Sequence, residues 1–406
     1  MRTFLRLFCG TLTLIAALAV SPARAEEERE REWVVKWSNG FKVEKGDEFQ
    51  LKFGGRIQAD FVFFSSDDVF DGRFGKDALD NGAYFRRARL FFEGTIYERV
   101  TFKAQYDFAG GDADFKDVYM GLLADWGELR VGHYKEYFSL EELTSSKYLA
   151  FLERPLPVVA FVPSRNTGVG AHGKRGDTLN WGVGVFYEAD DFGRSVDGDR
   201  LNLTGRLAYR PIYEEKGKRL LHVGFNLTNK EVEDGGTLRF RSRPGLGTGP
   251  HPVETGGLPA DGALISGLEV AGVQGRFWYA GEYVRADVDS PTLGDPSLDG
   301  AYVDAGWYLT RGDYRRFKTS SGTFDRQKPS DPWLRDGGRG AWEVALRFST
   351  LDLDDGLVSG GQSDTILVAL NWYPNPATRL MLNLVHADLD VFGEVDALLM
   401  RWQVDF

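Results

Sequence analysis

Arg239, Arg241 and Arg243, in the run LRFRSRPG, are the residues whose type and spacing point most directly to chemistry. In an extended segment, positions i, i+2 and i+4 project from one face, so three guanidinium groups stand in a column at roughly 7 Å intervals. A guanidinium keeps its charge at any working pH, and its planar donors match phosphate and carboxylate oxygens. The same residues in an exposed loop would simply be solvated, so the surrounding elements decide. A second basic cluster is Arg86, Arg87 and Arg89, with Arg56 nearby in sequence pattern. A third lies in Lys135 to Asn166, where Ser145, Ser146, Lys147 and Arg154 sit in YFSLEELTSSKYLAFLERPLP. A fourth, Arg311, Arg315, Arg316, Lys318, Arg326 and Lys328, crowds the stretch Gly312 to Arg339 and its border.

The elements that must position these residues are strands. From Phe49 to Phe63 the odd positions read Phe, Leu, Phe, Gly, Ile, Ala, Phe, Phe, while Gln50 to Asp60 supply Gln, Lys, Gly, Arg, Gln and Asp between them. That strict alternation is a strand, and its polar face is too charged for a packed interior. The same pattern recurs to the C-terminus, where Leu398, Met400, Trp402, Val404 and Phe406 alternate with Leu399, Arg401, Gln403 and Asp405. Sixteen such segments can be counted, fourteen or eighteen being the neighbouring counts. With Leu90, Phe92 and Ile96 facing lipid, Arg87 and Arg89 point into a lumen, and Arg86 must sit at the interface or on a local irregularity. These arginines could also pair with wall carboxylates such as Glu93 and Asp107 and hold the barrel's shape. In Lys135 to Asn166 a short amphipathic helix is expected, with Leu140, Leu143, Leu149 and Leu152 as packing positions. Folded against the inner wall, that loop would bring its serines, Lys147 and Arg154 to a constriction. The long lower connection Gly312 to Arg339 is expected to fold into the pore and continue a basic path with Arg316, Lys318 and Lys328.

Composition fixes the address. Arg2 and Arg6 precede the apolar run Leu7 to Val20 and a small-x-small site at Ala23-Arg24-Ala25, so residues 1–25 read as a cleaved secretory signal. The single cysteine, Cys9, falls inside it, which leaves no disulfide, thiol nucleophile or thiolate metal site beyond. The formal net charge of -11 becomes more negative by three when Arg2, Arg6 and Arg24 leave, and such an acidic chain is not a nucleic-acid binder. A secreted chain without a long apolar helix enters a membrane only as a closed barrel. The expected organisation is therefore a signal (1–25), a charged periplasmic segment (26–48) and an outer-membrane barrel (49–406). The fold class is all-β: a transmembrane antiparallel β-barrel of about sixteen strands with loops folded into the pore, in contact with outer-membrane lipid.

Several motifs carry a resemblance. GGRIQADF at Gly54 to Phe61, AYFRRARLFF at Ala83 to Phe92, LEELTSSKYLAFLER at Leu140 to Arg154, RFRSRP, AWE at Ala341 to Glu343, NWYPN and the closing LLMRWQVDF together resemble the phosphate-selective porin O and P family. The resemblance implies a homotrimeric sixteen-stranded outer-membrane channel, with an arginine ladder leading to a central anion site and lysines below. Arg239, Arg241 and Arg243 are similar to the ladder; Arg56, Arg86, Arg87 and Arg154 are similar to pore and constriction arginines. The chain departs from the family at Glu142, where phosphate-binding members carry lysine in Leu-Glu-Lys-Ala-Thr-Ser-Ser-Lys. A carboxylate there repels a dianion and, when ionised, offers no donor. The family's ligand-discriminating aspartate falls at either Lys116 or Asp117.

The function expected is passive diffusion of small inorganic anions, phosphate or polyphosphate foremost, through a basic-lined channel without a cofactor. A general, organic-acid or sugar porin is the alternative of the same class, and a structural or adhesive barrel the alternative of another. An enzyme is disfavoured: the five histidines form no metal-spaced pair and none lies in a nucleophile motif.

Overall fold

The computed structural model describes residues 32–38, 40–195, 201–333 and 337–406. The expected signal, nearly all of the run Glu26 to Glu32 and the expected strand start at Asp199 lie outside the described residues. A hairpin comes first, β1 (Val34–Trp37) and β2 (Phe41–Lys45). Sixteen barrel strands follow. They are β3 (Phe49–Ser66), β4 (Gly82–Ile96), β5 (Val100–Asp107), β6 (Asp114–Ala124), β7 (Gly127–Lys135), β8 (Arg165–Arg175), β9 (Leu179–Tyr187) and β10 (Leu201–Glu214). Then come β11 (Arg219–Glu231), β12 (Gly262–Gln274), β13 (Phe277–Asp289), β14 (Ser297–Tyr308), β15 (Ala341–Asp355), β16 (Val358–Asn375), β17 (Thr378–Asp388) and β18 (Glu394–Asp405).

Each strand pairs antiparallel with the next, and β18 closes on β3 in a register running from Val395↔Ser66 to Asp405↔Arg56. Closure satisfies every strand edge, which is what lets a sheet sit in lipid. The outward positions are apolar: Phe61, Leu207, Phe225, Leu268, Ile366 and Trp402 are all exposed on the wall. Phe406 locks the seam, exchanging backbone hydrogen bonds with Gly55 at 2.7 and 3.1 Å. Gly55 has to be small, because a Cβ there would lie 2.6 Å from the Arg89 carbonyl oxygen and 2.8 Å from the Phe406 ring.

Connections at one end are short. Between β4 and β5, Tyr97 and Glu98 both adopt positive φ, 49° and 61°, in a tight turn where the Arg99 amide donates to the Ile96 carbonyl at 3.3 Å. The opposite end carries the long loops, one of which includes helix α1 (Asp68–Phe74). The exception among the short turns is 309–340, as the sequence implies. It turns inward: Arg315 donates to the Tyr148 carbonyl at 2.6 Å, and Asn180 on β9 donates to the Ser320 carbonyl at 3.3 Å.

The charged segment 26–48 carries the hairpin β1–β2. Lys36 pairs with Glu44 across it, Lys42 pairs with Glu44 along β2, and β2 runs along β3 from Phe41↔Phe53 to Lys45↔Phe49. Those charges masked a two-residue period in Val35, Trp37, Phe41 and Val43.

Candidate functional site

The site is made by a loop that the barrel swallows. Residues 136–164 carry Leu140, Leu149, Phe151, Leu152, Leu156 and Phe161, all buried, and a segment so apolar cannot stand in water. Its backbone, taken inside, must still find partners. The wall from β11 to β18 supplies them. Arg347 donates to the Glu153 carbonyl at 2.9 Å, Arg401 to the Leu152 carbonyl at 2.7 Å and Asn371 to the Ala150 carbonyl at 2.8 Å. Arg379 reaches the Leu149 carbonyl, and Asn383 accepts from the Leu152 amide at 2.9 Å. At the loop's start Glu282 accepts from Ser139 Oγ and from the amides of Leu140 and Glu141, at 3.0, 3.1 and 2.8 Å.

The expected amphipathic helix is only one turn, α2 (Leu140–Leu143), started by the Ser139 hydroxyl that accepts from the Glu142 amide. A second helix, α3 (Leu156–Phe161), follows the extended Pro155 and carries Pro157 in its first turn, where a missing N–H costs nothing and the fixed φ suits a helix. Leu140, Leu149 and Leu152 pack as expected, but Leu143 is half-buried and faces the channel, because the helix stops at Thr144 before a second apolar turn can form.

Between this loop and the opposite wall lies a cavity of about 580 Å³, lined by twelve basic and five acidic side chains. Strand β3 contributes Lys52 and Arg56, and β4 contributes Arg86, Arg87 and Arg89. All three β4 arginines reach it because of a bulge. Gln58 pairs with Arg87 and Ala59 with Phe85, which leaves Arg86 as the extra residue, turned inward with its neighbour. A second irregularity, between β5 and β6, sends both Lys116 and Asp117 to the lumen.

The charges are partly compensated. Arg86 forms a two-pronged pair with Glu153 at 2.9 Å, Arg89 binds Asp107 at 2.6 Å, and Asp117 bridges Arg165 at 2.9 Å and Lys103 at 3.1 Å. Of the wall carboxylates named from sequence, Asp107 does hold an arginine, whereas Glu93 faces Lys103 at 3.5 Å. Glu142 sits between Arg154 at 2.7 Å and Lys135 at 3.0 Å. Burial alone would raise its pKa, but Arg154, Lys135 and Arg165 outweigh that and hold it at about 2. Among the described residues Lys52, Arg56, Arg87 and Lys318 have no carboxylate within ion-pair distance. Arg56 instead donates to Ser146 Oγ at 2.6 Å, and Arg87 to Gln58 at 3.0 Å with its Nε unpartnered. Lys147 lines the same cavity, 3.7 Å from Asp405. Burial first, and Arg56 next, push its pKa down to about 7.

Arg56, Arg86, Arg87, Arg89, Ser145, Ser146, Lys147, Arg154 and Lys318 are thus gathered at one cavity. Arg239, Arg241 and Arg243 lie in 232–261, whose alternate residues Leu238, Phe240 and Ser242 are buried, so the arginines share the other face. Arg239 pairs with Glu254, and Arg243 donates to the Gly249 carbonyl at 2.8 Å. The field of Arg86 and Glu153 reaches Arg243, and Gly247 abuts Tyr84 and Arg86, so the column ends beside the cavity.

Two residues fall elsewhere. Arg316 stacks on Tyr314 at 3.9 Å and Lys328 is exposed, and neither lines the cavity. Arg315 is sandwiched by Trp278 and Phe324, and Arg326 pairs with Asp405. Lys52, Lys103, Lys116, Lys135 and Arg165 were not among the candidates. Strand parity would have found Lys52 and Lys103; a bulge hid Lys116, and the strand ends at Lys135 and Arg165 hid the other two.

A closed sixteen-stranded barrel with a charged loop across its lumen defines a porin, a channel of the Gram-negative outer membrane. The chain belongs to the phosphate-selective porin O and P family, whose model matches residues 51–406. It is 28% identical over 403 residues to Porin O of Pseudomonas aeruginosa, covering 88% of this chain and 87% of that one. An uncharacterized protein of Caulobacter vibrioides is 32% identical over 360 residues, 86% of this chain and 70% of the relative. Among solved structures, an anion-selective porin from Comamonas acidovorans superposes with TM-score 0.53 at 12% identity, covering 88% of this chain and 100% of that one. OmpT of Vibrio cholerae in its trimer form gives 0.55 at 11% identity, with 88% and 99% covered.

Proposed function

We propose that this porin is a passive channel for small inorganic anions, with phosphate and polyphosphate as its foremost cargo, working as a homotrimer without a cofactor. The observation that carries the reading is the excess of twelve basic over five acidic side chains around the central cavity of a chain whose net charge is -11. A narrow channel selects by such columns of charge, binding ions well enough to admit them and weakly enough to release them. In this reading Arg239, Arg241 and Arg243 collect anions at the mouth. Arg56, Arg87, Ser145, Ser146 and Lys147 hold them at the constriction, with Arg86, Arg89 and Arg154 partly neutralised, and Lys318 passes them on. The names of the Pseudomonas relative's family and of the Comamonas porin support it, as the Vibrio trimer supports the assembly.

One observation favours a second reading, an anion channel without phosphate selectivity: Glu142 occupies Arg154 and Lys135, two donors a dianion would need. The experiment is reconstitution in planar bilayers. A reversal potential of anion-selective sign in a KCl gradient, together with block of the chloride current by phosphate, is expected. Anion selectivity without phosphate block selects the second reading, and cation selectivity sinks both.

A further inference from the structure

Beside the main cavity lies a second one of about 300 Å³, and Lys103, Asp117, Lys135 and Leu143 line both. We propose that this alcove is a second subsite, which takes the ring of an aryl phosphate or aryl carboxylate while its anionic group stays among the cations of the main cavity. The inference rests on the anion-channel reading and names a class of organic cargo for it.

The two cavities differ in chemistry. The alcove's wall is a run of rings: Tyr119 to Tyr134 at 5.9 Å, Tyr134 to Tyr137 at 6.0 Å and Tyr137 to His172 at 5.5 Å. The barrel makes room for them with glycines. A Cβ on Gly182 would fall 2.6 Å from Tyr137 Cγ, and one on Gly170 2.7 Å from its Cε2, so the ring is inlaid in the strands. The cations here are already engaged. Arg130 binds Glu128 at 2.7 Å and stacks on Tyr119 at 3.9 Å, and Arg206 binds Glu269 at 2.9 Å and the Gly322 carbonyl at 2.9 Å. The excess charge therefore lies in the neighbouring cavity. An inorganic anion gains nothing from such a wall, but a ring does, and roughly 150 Å³ of cavity suffices for benzene. Phosphate-sized cargo leaves the alcove unexplained; a ring attached to an anion uses both compartments at once.

The test compares phenyl phosphate with methyl phosphate, which carries the same anionic group, as blockers of chloride current through the wild-type trimer in planar bilayers. Ring stacking of this kind supports about a fivefold lower half-blocking concentration for the phenyl ester. Ser321, an exposed loop residue that lines the alcove, offers a way to plug it without altering its rings. Ser321→Phe, and independently Tyr119→Leu, should bring the phenyl ester to the methyl ester's level and leave the methyl ester unchanged. Equal block by the two esters in the wild type overturns the proposal, as does an advantage that survives both variants. If the channel proves not to select anions at all, the anion-channel reading fails, and the alcove is read instead by saturation-transfer NMR on detergent-purified protein. Ring protons of phenyl phosphate that receive transfer in the wild type and not in Ser321→Phe support the subsite; no transfer, or transfer unchanged by the plug, overturns it.

Discussion

The two sides of the lumen are built from the same residues put to opposite use. On the side from β11 to β18, Arg347 and Arg401 are buried in closed pairs, and Arg379 is held by Gln403 and the Leu149 carbonyl. Arg347 lies against Asp304 at 2.7 Å and Glu141 at 2.9 Å, and Arg401 against Asp60 at 2.6 Å and Glu153 at 2.9 Å. Each also donates to a loop carbonyl, so the charge is cancelled and the hydrogen bonds left over fasten the loop. On the side from β3 to β8, basic residues outnumber their partners and face the water-filled gap. A guanidinium with its counter-charge is a bracket, whereas one without it is an attractive field for anions. The difference lies in the ratio of carboxylates to cations, not in residue type.

The largest effect should come from removing a bracket. Arg401→Ala leaves the Asp60 and Glu153 carboxylates and the Leu152 carbonyl without their shared donor, and unpairing a buried charge costs about 3–5 kcal/mol. The loop should leave the wall, at least about doubling single-channel conductance and lowering the fraction of barrel that resists unboiled detergent on a gel. Unchanged conductance would show that these arginines support the wall alone and that the loop is held by its apolar side chains.

A smaller and opposite effect is expected where the two sides blur, at Glu142. Glu142→Gln keeps the shape and releases Arg154 and Lys135 to face the gap. Removing one charge a few ångströms from a bound anion is worth about 1 kcal/mol even at water's dielectric, so phosphate should block chloride current at roughly fivefold lower concentration. Glu142→Lys should go further in the same direction. If neither variant changes the block, the carboxylate lies outside the ion path.

How much of this could be read beforehand divides along similar lines. Wall parity was legible, because a strand between lipid and water must alternate, and Phe49 to Phe61 do so, with polar residues or glycine at every even position from Gln50 to Asp60. The inward fold of Lys135 to Asn166 was legible from its leucines. The fate of each charge was not. Nothing in a linear pattern tells Arg401, closed by Asp60 from across the seam, from Arg56, which meets only Ser146 Oγ. The bulge that turns Arg86 inward was foreseen only as an irregularity, since its register depends on the partner strand. Arg316 and Lys328 do not line the central cavity, and in the same basic loop Arg315 and Arg326 serve as anchors, a division that no linear pattern displays.

On the open side, one cation should titrate within the working range. Burial and Arg56 lower Lys147 to about 7, so it is charged below that pH and neutral above it. Anion selectivity should therefore fall, roughly twofold in permeability ratio, as pH rises from about 6 to about 8. Lys147→Arg, which keeps its charge throughout, should flatten the profile. A profile that the arginine leaves unchanged would assign the titration to another group.

The smallest effect belongs to the outer column. Arg239 and Arg241 are exposed, Arg239 is matched by Glu254, and at about 0.1 M salt charges further apart than roughly 10 Å are largely screened. Replacing Arg239, Arg241 and Arg243 together with alanine should leave selectivity nearly unchanged in high salt and shift it toward cations only as salt is lowered. His251 supplies a local gauge. Burial, then Arg243, Arg241 and Arg239, hold its pKa down at about 4, so the triple variant should let it rise toward the ordinary imidazole range, measurable by NMR. A rise at His251 with no shift of reversal potential at low salt would mean that the column is charged but lies off the ion path. If both move together, the open side of the lumen begins at the mouth and its field is continuous from Arg239 to the constriction.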